Sequence, residues 1–248
     1  VWVFAEHEGG KIANVSLELI SKAKELAARL GVKTEAVLLG NNIEKSAEQL
    51  FHYGCEKVYL AESPDLEPFT VLPFAHILIN LAKQHRPNIL LFGATMKGRE
   101  LAPRVASALL AGLTADCTDL KIDDFEDKIN NKFYKNKLMQ IRPAFGGNII
   151  ATIVNTWQDP QMVTVRPGVM KLCDPDTGRK GQIEKIKVSI PDHLKVLKVI
   201  DRIQREKSVD LQSSQIIVAG GYGVGSKENF KLIYDLAKTI GADVGASR

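Results

Sequence analysis

Four times in succession over residues 1–110, a short apolar run is followed by a stretch of helical periodicity. The runs are VWVFAE, KTEAVLLG, KVYLAE and NILLFGAT. After the first, Leu17, Leu19, Ile20, Ala23, Leu26, Ala27 and Leu30 recur at helical spacing, and Gly31 supplies a stop. Helices are predicted over Ser16–Leu30, Ile43–Tyr53, about Thr70–Gln84 and about Gly98–Leu110. Strand–helix units repeated in this way require parallel strands, right-handed crossovers and helices on both sheet faces. The runs show little polar alternation, as expected of strands buried on both sides. The expected fold class is α/β.

The rhythm changes after Gly112. TADCTDLKID, NKFYKN, KLMQIRPAF, NIIATIVN and QMVTVRPG read as short strands that complete the sheet or form a β-rich annex. DPDTGRKG (174–181) is a polar turn, KIKVSI a further strand, and LKVLKVI a strand or a helix. SSQIIVAGG then opens a new strand, turn and helix. Residues 1–194 are expected to form a first domain, 195–210 a linker or edge segment, and 211–248 the start of a second α/β domain.

Composition removes several function classes. The net charge of +4 is spread along the chain with no basic run interleaved with aromatics, so nucleic acid is not an expected partner. No apolar stretch approaches the roughly 20 residues of a membrane span. VWVFAEH carries no signal-peptide pattern and no initiator Met, which predicts that it lies inside a longer polypeptide. Cys55, Cys117 and Cys173 are too scattered for a disulfide framework or a metal site, so a reducing cytoplasm is expected. The five histidines lack ligand spacing; His76 falls on an apolar helix face and reads as a core residue.

Three stretches carry chemistry. In VAGGYGVGSKENF, Gly220, Gly221, Gly223 and Gly225 follow a strand, and Ser226 is placed to cap the helix that follows. A helix N-terminus after a glycine turn suits a pyrophosphate, although neither GxxxxGK[ST] nor GxGxxG is satisfied. In LFGATMKGRELAPRVA, Thr95, Lys97, Gly98 and Arg99 leave the fourth strand at its carboxyl end and can either cradle an anion or form a loop of ion-paired arginines. In QIRPAFGGNIIATI, Gly146-Gly147-Asn148 turn between two apolar strands. There Arg142 either reaches across an interface or is a solvated hairpin residue. No nucleophile, base and acid set stands out.

Taken together these stretches resemble the alpha subunit of electron-transfer flavoproteins. GATMKGRELAPRVASALLAGLTADCTDL is similar to that family's first-domain signature, and GGYGVGSKENFKLIYDLAKTIGADVGASR to the entry of its FAD-binding domain. The resemblance implies a first domain of adenine-nucleotide α-hydrolase-like fold that pairs with a beta subunit. It also implies a second domain that binds FAD and continues past GASR. Tyr222, Gly223, Ser247 and Arg248 match the family's flavin-site segments. Tyr222 stands where arginine is usual, so it keeps a stacking face and one hydrogen bond but no charge.

RPAFGGN followed by TVRPG resembles the bifurcating and nitrogen-fixation-associated branch. That branch takes electrons from NADH, sending one to ferredoxin and one through FAD to a flavin-dependent dehydrogenase. By the same resemblance Arg142 approaches a second FAD held mainly by the beta subunit and tunes its potential. The alternatives are a conventional member fed by acyl-CoA dehydrogenases and a non-redox nucleotide-binding module built on the Thr95–Arg99 loop.

Overall fold

The computed structural model describes residues 1–201, 203, 211 and 214–247, in two compact units, Val1–Lys198 and Val199–Arg248. The first unit opens with β1 (Trp2–Ala5), a small hairpin of β2 (His7–Glu8) and β3 (Lys11–Ile12), and α1 (Asn14–Leu30). It continues through β4 (Glu35–Gly40), α2 (Ser46–His52), β5 (Lys57–Glu62), α3 (Val71–His85), β6 (Ile89–Gly93) and α4 (Met96–Leu109). Then come β7 (Leu113–Cys117), β8 (Asp119–Asp127), β9 (Lys132–Ala144), β10 (Ile149–Val154), β11 (Gln161–Val165) and β12 (Gln182–Lys185).

Seven of these strands make one sheet in the order β12–β5–β4–β1–β6–β11–β7, and every neighbouring pair is parallel. The period of two along each strand divides the core. Val3, Ala36, Leu38, Val58, Leu60 and Leu91 point to a cluster shared with α1 and α2. Their neighbours Trp2, Phe4, Val37, Leu39, Tyr59 and Phe92 point to a second cluster under α3 and α4. Helices therefore cover both faces, as the repeated strand–helix pattern requires.

The segment after Gly112 does both things its sequence allows. β7 and β11 join the parallel sheet, while β8, β9 and β10 form a separate antiparallel sheet in the order β10–β9–β8. Leu120, Ile122 and Leu138 of that annex bury themselves against the first cluster.

Three expectations are corrected. NKFYKN and KLMQIRPAF are one strand, because Asn136 takes φ 54° and donates its N–H to Asp124 Oδ1 at 3.0 Å, which carries the chain through without a break. The strand predicted over KIKVSI ends where it should begin: β12 closes at Lys185, and the last bond to β5 is Ile186 N–H to the Leu60 carbonyl at 2.8 Å. Ile186, Val188 and Ile190 then cover the second cluster without strand pairing. LKVLKVI forms neither a strand nor a long helix, only the end of a short 3-10 turn at Asp192–Leu194, and most of its apolar side chains are exposed.

Helix α4 begins earlier than its periodicity suggests, because the Thr95 hydroxyl accepts the Gly98 N–H at 3.0 Å and caps it. Gly98 lies so close to β6 that a Cβ there would stand 1.9 Å from the Gly93 carbonyl oxygen. The second unit is smaller. In it β13 (Ile217–Gly220) and β14 (Asp243–Ala246) pair in parallel across α5 (Phe230–Ile240).

Gly98→Ala is expected to destabilise the first unit by about 3 kcal/mol, the upper range for overpacking, because the obstacle is backbone and cannot rotate away. Urea denaturation of the parent and variant chains measures this. A loss below about 0.5 kcal/mol would contradict the close helix–strand contact.

Candidate functional site

In the second unit the glycine turn lies at the carboxyl ends of two parallel strands. Ser247 N–H donates to the Gly220 carbonyl at 3.1 Å, which sets the residue after β14 beside the turn after β13. The approach is close: a Cβ on Gly221 would lie 3.0 Å from Ser247 Oγ. The chain then makes a 3-10 turn over Tyr222–Val224, in which Gly223 faces open space and Tyr222 is fully exposed. Gly225 follows at φ 80°, a conformation that favours glycine. Tyr222, Gly223 and Ser247 therefore share one rim, while Arg248 lies outside the described residues.

Ser226 is not the helix cap predicted from sequence. Its hydroxyl accepts the Asn229 N–H at 3.2 Å and Asn229 Nδ2 donates to the Val224 carbonyl at 3.0 Å, which together close a turn before α5 begins at Phe230. A rim with small residues at its closest backbone approaches and a strand-end opening fits the phosphate-bearing part of a flavin dinucleotide.

Arg142 belongs to the first unit, near the end of β9 and opposite Ala151 of β10. The turn beyond it is a 3-10 turn at Phe145–Gly147, with Phe145 at φ 49° and largely exposed. Arg142 is only half-buried, yet its Nε is shielded from solvent and has no partner among the described residues. Cys117 is beside it: burial pushes that thiol up to about 12, with the charge of Arg142 acting the other way. The Nε is shielded while the residue as a whole stays half-exposed, so the guanidinium is partly withdrawn from solvent.

The third candidate, Thr95–Arg99, lies where the strand order reverses between β1 and β6, the place where open α/β sheets leave a crevice. Glu6 already fills it. The Thr95 hydroxyl donates to Glu6 Oε2 at 2.7 Å, Glu6 N–H donates to Ser16 Oγ at 2.8 Å, and Glu6 Oε1 is buried with no partner among the described residues. Lys97 Nζ donates to the His7 carbonyl at 2.9 Å, and Arg99 turns away to Ala94 and Asp116. A carboxylate with its own hydroxyl donor is a poor cradle for a phosphate. No sequence motif marked Glu6; the one available cue was a carboxylate directly after an apolar strand. His76, read as a core residue, is half-buried and lies 3.1 Å from Asn80 Nδ2. Among the described residues no group of His, Cys, Asp or Glu is placed to hold a metal, and no helix is long and apolar enough to cross a membrane.

A doubly covered parallel sheet with an antiparallel annex, followed by a glycine-rich strand, turn and helix, places the chain in the α/β class. The pattern of the electron transfer flavoprotein domain matches residues 1–191, and that of the electron transfer flavoprotein FAD-binding domain matches residues 210–248. The electron transfer flavoprotein subunit alpha of Thermoanaerobacterium thermosaccharolyticum is 42% identical over 249 residues, covering 100% of this chain and 72% of the relative. Protein FixB of Clostridium saccharobutylicum is 43% identical over 249 residues, covering 100% and 71%. The lactate dehydrogenase (NAD(+),ferredoxin) subunit LctC of Acetobacterium woodii is 38% identical over 248 residues, covering 100% and 57%. The chain belongs to the electron transfer flavoprotein alpha-subunit family.

Burial holds the Glu6 carboxyl above its ordinary value, against the Thr95 hydroxyl and the Lys97 ammonium. Its contribution to stability is complete below the unfolded pKa and is lost as pH rises through the folded one. Glu6→Gln keeps an acceptor for Thr95 and removes the titration. Compared with the parent from about pH 4 to about pH 8 in urea, the variant should lose less stability as pH rises. A parent that gains on the variant toward pH 8 would refute this.

Proposed function

We propose that this chain carries electrons through FAD to a flavin-dependent dehydrogenase, as the alpha subunit of an NADH-dependent, ferredoxin-linked bifurcating flavoprotein. The observation that carries this reading is Arg142, a guanidinium whose solvent-shielded Nε has no partner among the described residues, on a hairpin of the antiparallel annex. The name of the Acetobacterium woodii relative, with NAD(+) and ferredoxin, supports the same direction. A beta subunit is the partner in this reading, and it holds most of a second FAD. Arg142 then stands beside that flavin, where a planar cation favours negative charge on the reduced ring.

Bound FAD would supply one- and two-electron chemistry in the second unit. The chain's own contribution there is positional. Gly223 leaves room for close backbone approach, Ser247 places a hydroxyl on the rim, and Tyr222 offers a ring face and one phenolic hydrogen bond. Arg248 completes the set by its match to the family pattern. The plain nucleotide-module reading finds less support, since Glu6 and Thr95 occupy the crevice it would need.

In the full-length protein with its beta subunit, Arg142→Ala should leave the thermal midpoint within a few degrees of the parent. It should lower the potential of the partner-held flavin and reduce NADH-driven ferredoxin reduction by at least tenfold. Unchanged coupled turnover would remove Arg142 from the mechanism. Tyr222→Arg, which restores the usual family residue, should give FAD affinity equal to or tighter than the parent by fluorescence titration. Clear weakening would show that the tyrosine makes a specific contact.

A further inference from the structure

Two arginines from separate segments converge on one carboxylate at the carboxyl edge of the parallel sheet. Arg166, the residue after β11, makes two bonds to Asp116: NH2 to Oδ2 at 2.7 Å and Nε to Oδ1 at 3.3 Å. Arg99, in the first turn of α4, reaches Asp116 Oδ1 at 3.5 Å while its Nε donates to the Ala94 carbonyl at 2.8 Å. Arg142 is brought to the same corner by the backbone. Thr118 N–H donates to the Ile141 carbonyl at 2.8 Å, and Arg166 N–H donates to the Cys117 carbonyl at 2.9 Å. Arg142 makes no ion pair among the described residues, although its charge acts on Asp116. One carboxylate against three guanidiniums leaves the corner strongly cationic.

The backbone is bent to put a carboxylate there. Asp116 takes φ 60°, within the stretch where the pairing of β7 with β11 changes register between Val163 and Val165. Its N–H is held by Thr164 Oγ1 at 2.9 Å. A left-handed conformation is uncommon for a residue with a side chain, and Asp and Asn tolerate it best. Stability is a weak reason for the arrangement, because ion pairs this exposed contribute about 0–1 kcal/mol.

We propose that Asp116 is a positioning residue for Arg99 and Arg166: it ties both down and sets the net charge that the corner around Arg142 presents to a flavin held by the partner subunit. This rests on the reading of Arg142 as the residue beside that flavin. Asp116 restrains the two neighbouring cations that would otherwise crowd Arg142, and it subtracts one charge from their combined field. Removing the carboxylate makes the corner more cationic and removing Arg166 makes it less so, so the two changes should move the flavin in opposite directions.

The test uses the full-length heterodimer carrying Asp116→Asn, Arg166→Gln or Arg142→Ala, with the midpoint potential of the partner-held flavin as readout. Asparagine is isosteric and accepts the left-handed backbone, so Asp116→Asn keeps the local fold; Arg166 is half-exposed and gives a second variant if it does not. Asp116→Asn should raise the potential by about 30 mV, a tenfold change in a two-electron partition. Arg166→Gln should lower it by a similar shift. A purely structural clamp would lower the thermal midpoint in both variants without potential shifts of opposite sign, and that result overturns the proposal. If Arg142→Ala moves the potential and the other two do not, Asp116 has no such role and the Arg142 reading stands. If all three leave it unchanged, the Arg142 reading falls as well.

Discussion

The return of β11 into the parallel sheet is the constraint on which the rest of the first unit depends. After β7 the chain leaves the sheet, builds three antiparallel strands, and comes back to lie between β6 and β7. All five residues of β11 are buried, and both of its ends are pinned. Gln161 N–H meets the Asn88 carbonyl at 2.8 Å and Met162 N–H the Gly112 carbonyl at 3.2 Å, while the Val165 carbonyl takes the Ala94 N–H at 2.7 Å. A strand held on both sides fixes the course of the chain beyond its end. Arg166 emerges beside Cys117, the loop that carries Thr95 and Arg99 is tied to the same strand, and the antiparallel annex is clasped between β7 and β11. Each candidate feature of the first unit inherits its position from this insertion.

The same sheet edge carries two carboxylates in opposite electrostatic settings. Glu6 is almost fully buried, with one hydroxyl donor, and burial is the dominant influence on it. Asp116 is partly exposed, and the hydrogen bond from Arg166 holds it below its ordinary value, helped by the charges of Arg99 and Arg142. A buried acid at a strand-order reversal closes a crevice that a ligand would otherwise enter. A partly exposed acid among arginines leaves an open, charged surface. The edge is thus sealed at one point and receptive a few strands away.

Much of this was legible from residues. The four strand–helix repeats gave a parallel α/β sheet because strands buried on both faces need apolar residues at successive positions, and VWVFAE and NILLFGAT supply them. Gly31 stops α1 as its place after Leu30 suggests, in the left-handed conformation. The annex was harder. Asn136 looks like a strand breaker, but a left-handed asparagine supported by Asp124 lets β9 run through. KIKVSI alternates as a strand does, yet its apolar side chains serve as a lid on the second cluster rather than as a ladder. The glycine turn that carries Tyr222 and Gly223 was legible from its glycines, whereas the approach of Ser247 to it comes from the pairing of β13 with β14. The place of Asp116 was not, because its ion pairs come from Arg99 and Arg166, distant in sequence, and no local spacing encodes that meeting.

One side chain links the parallel sheet to the antiparallel annex. The buried Gln161 amide oxygen, at the start of β11, accepts the Leu138 N–H of β9 at 2.9 Å. Hairpins that project from a sheet usually bend as levers, with displacement growing toward the tip. Here the hairpin is tied at Leu138 to β11, a fully buried strand of the parallel sheet. Arg142 follows that tie along β9, ahead of the turn at Phe145–Gly147.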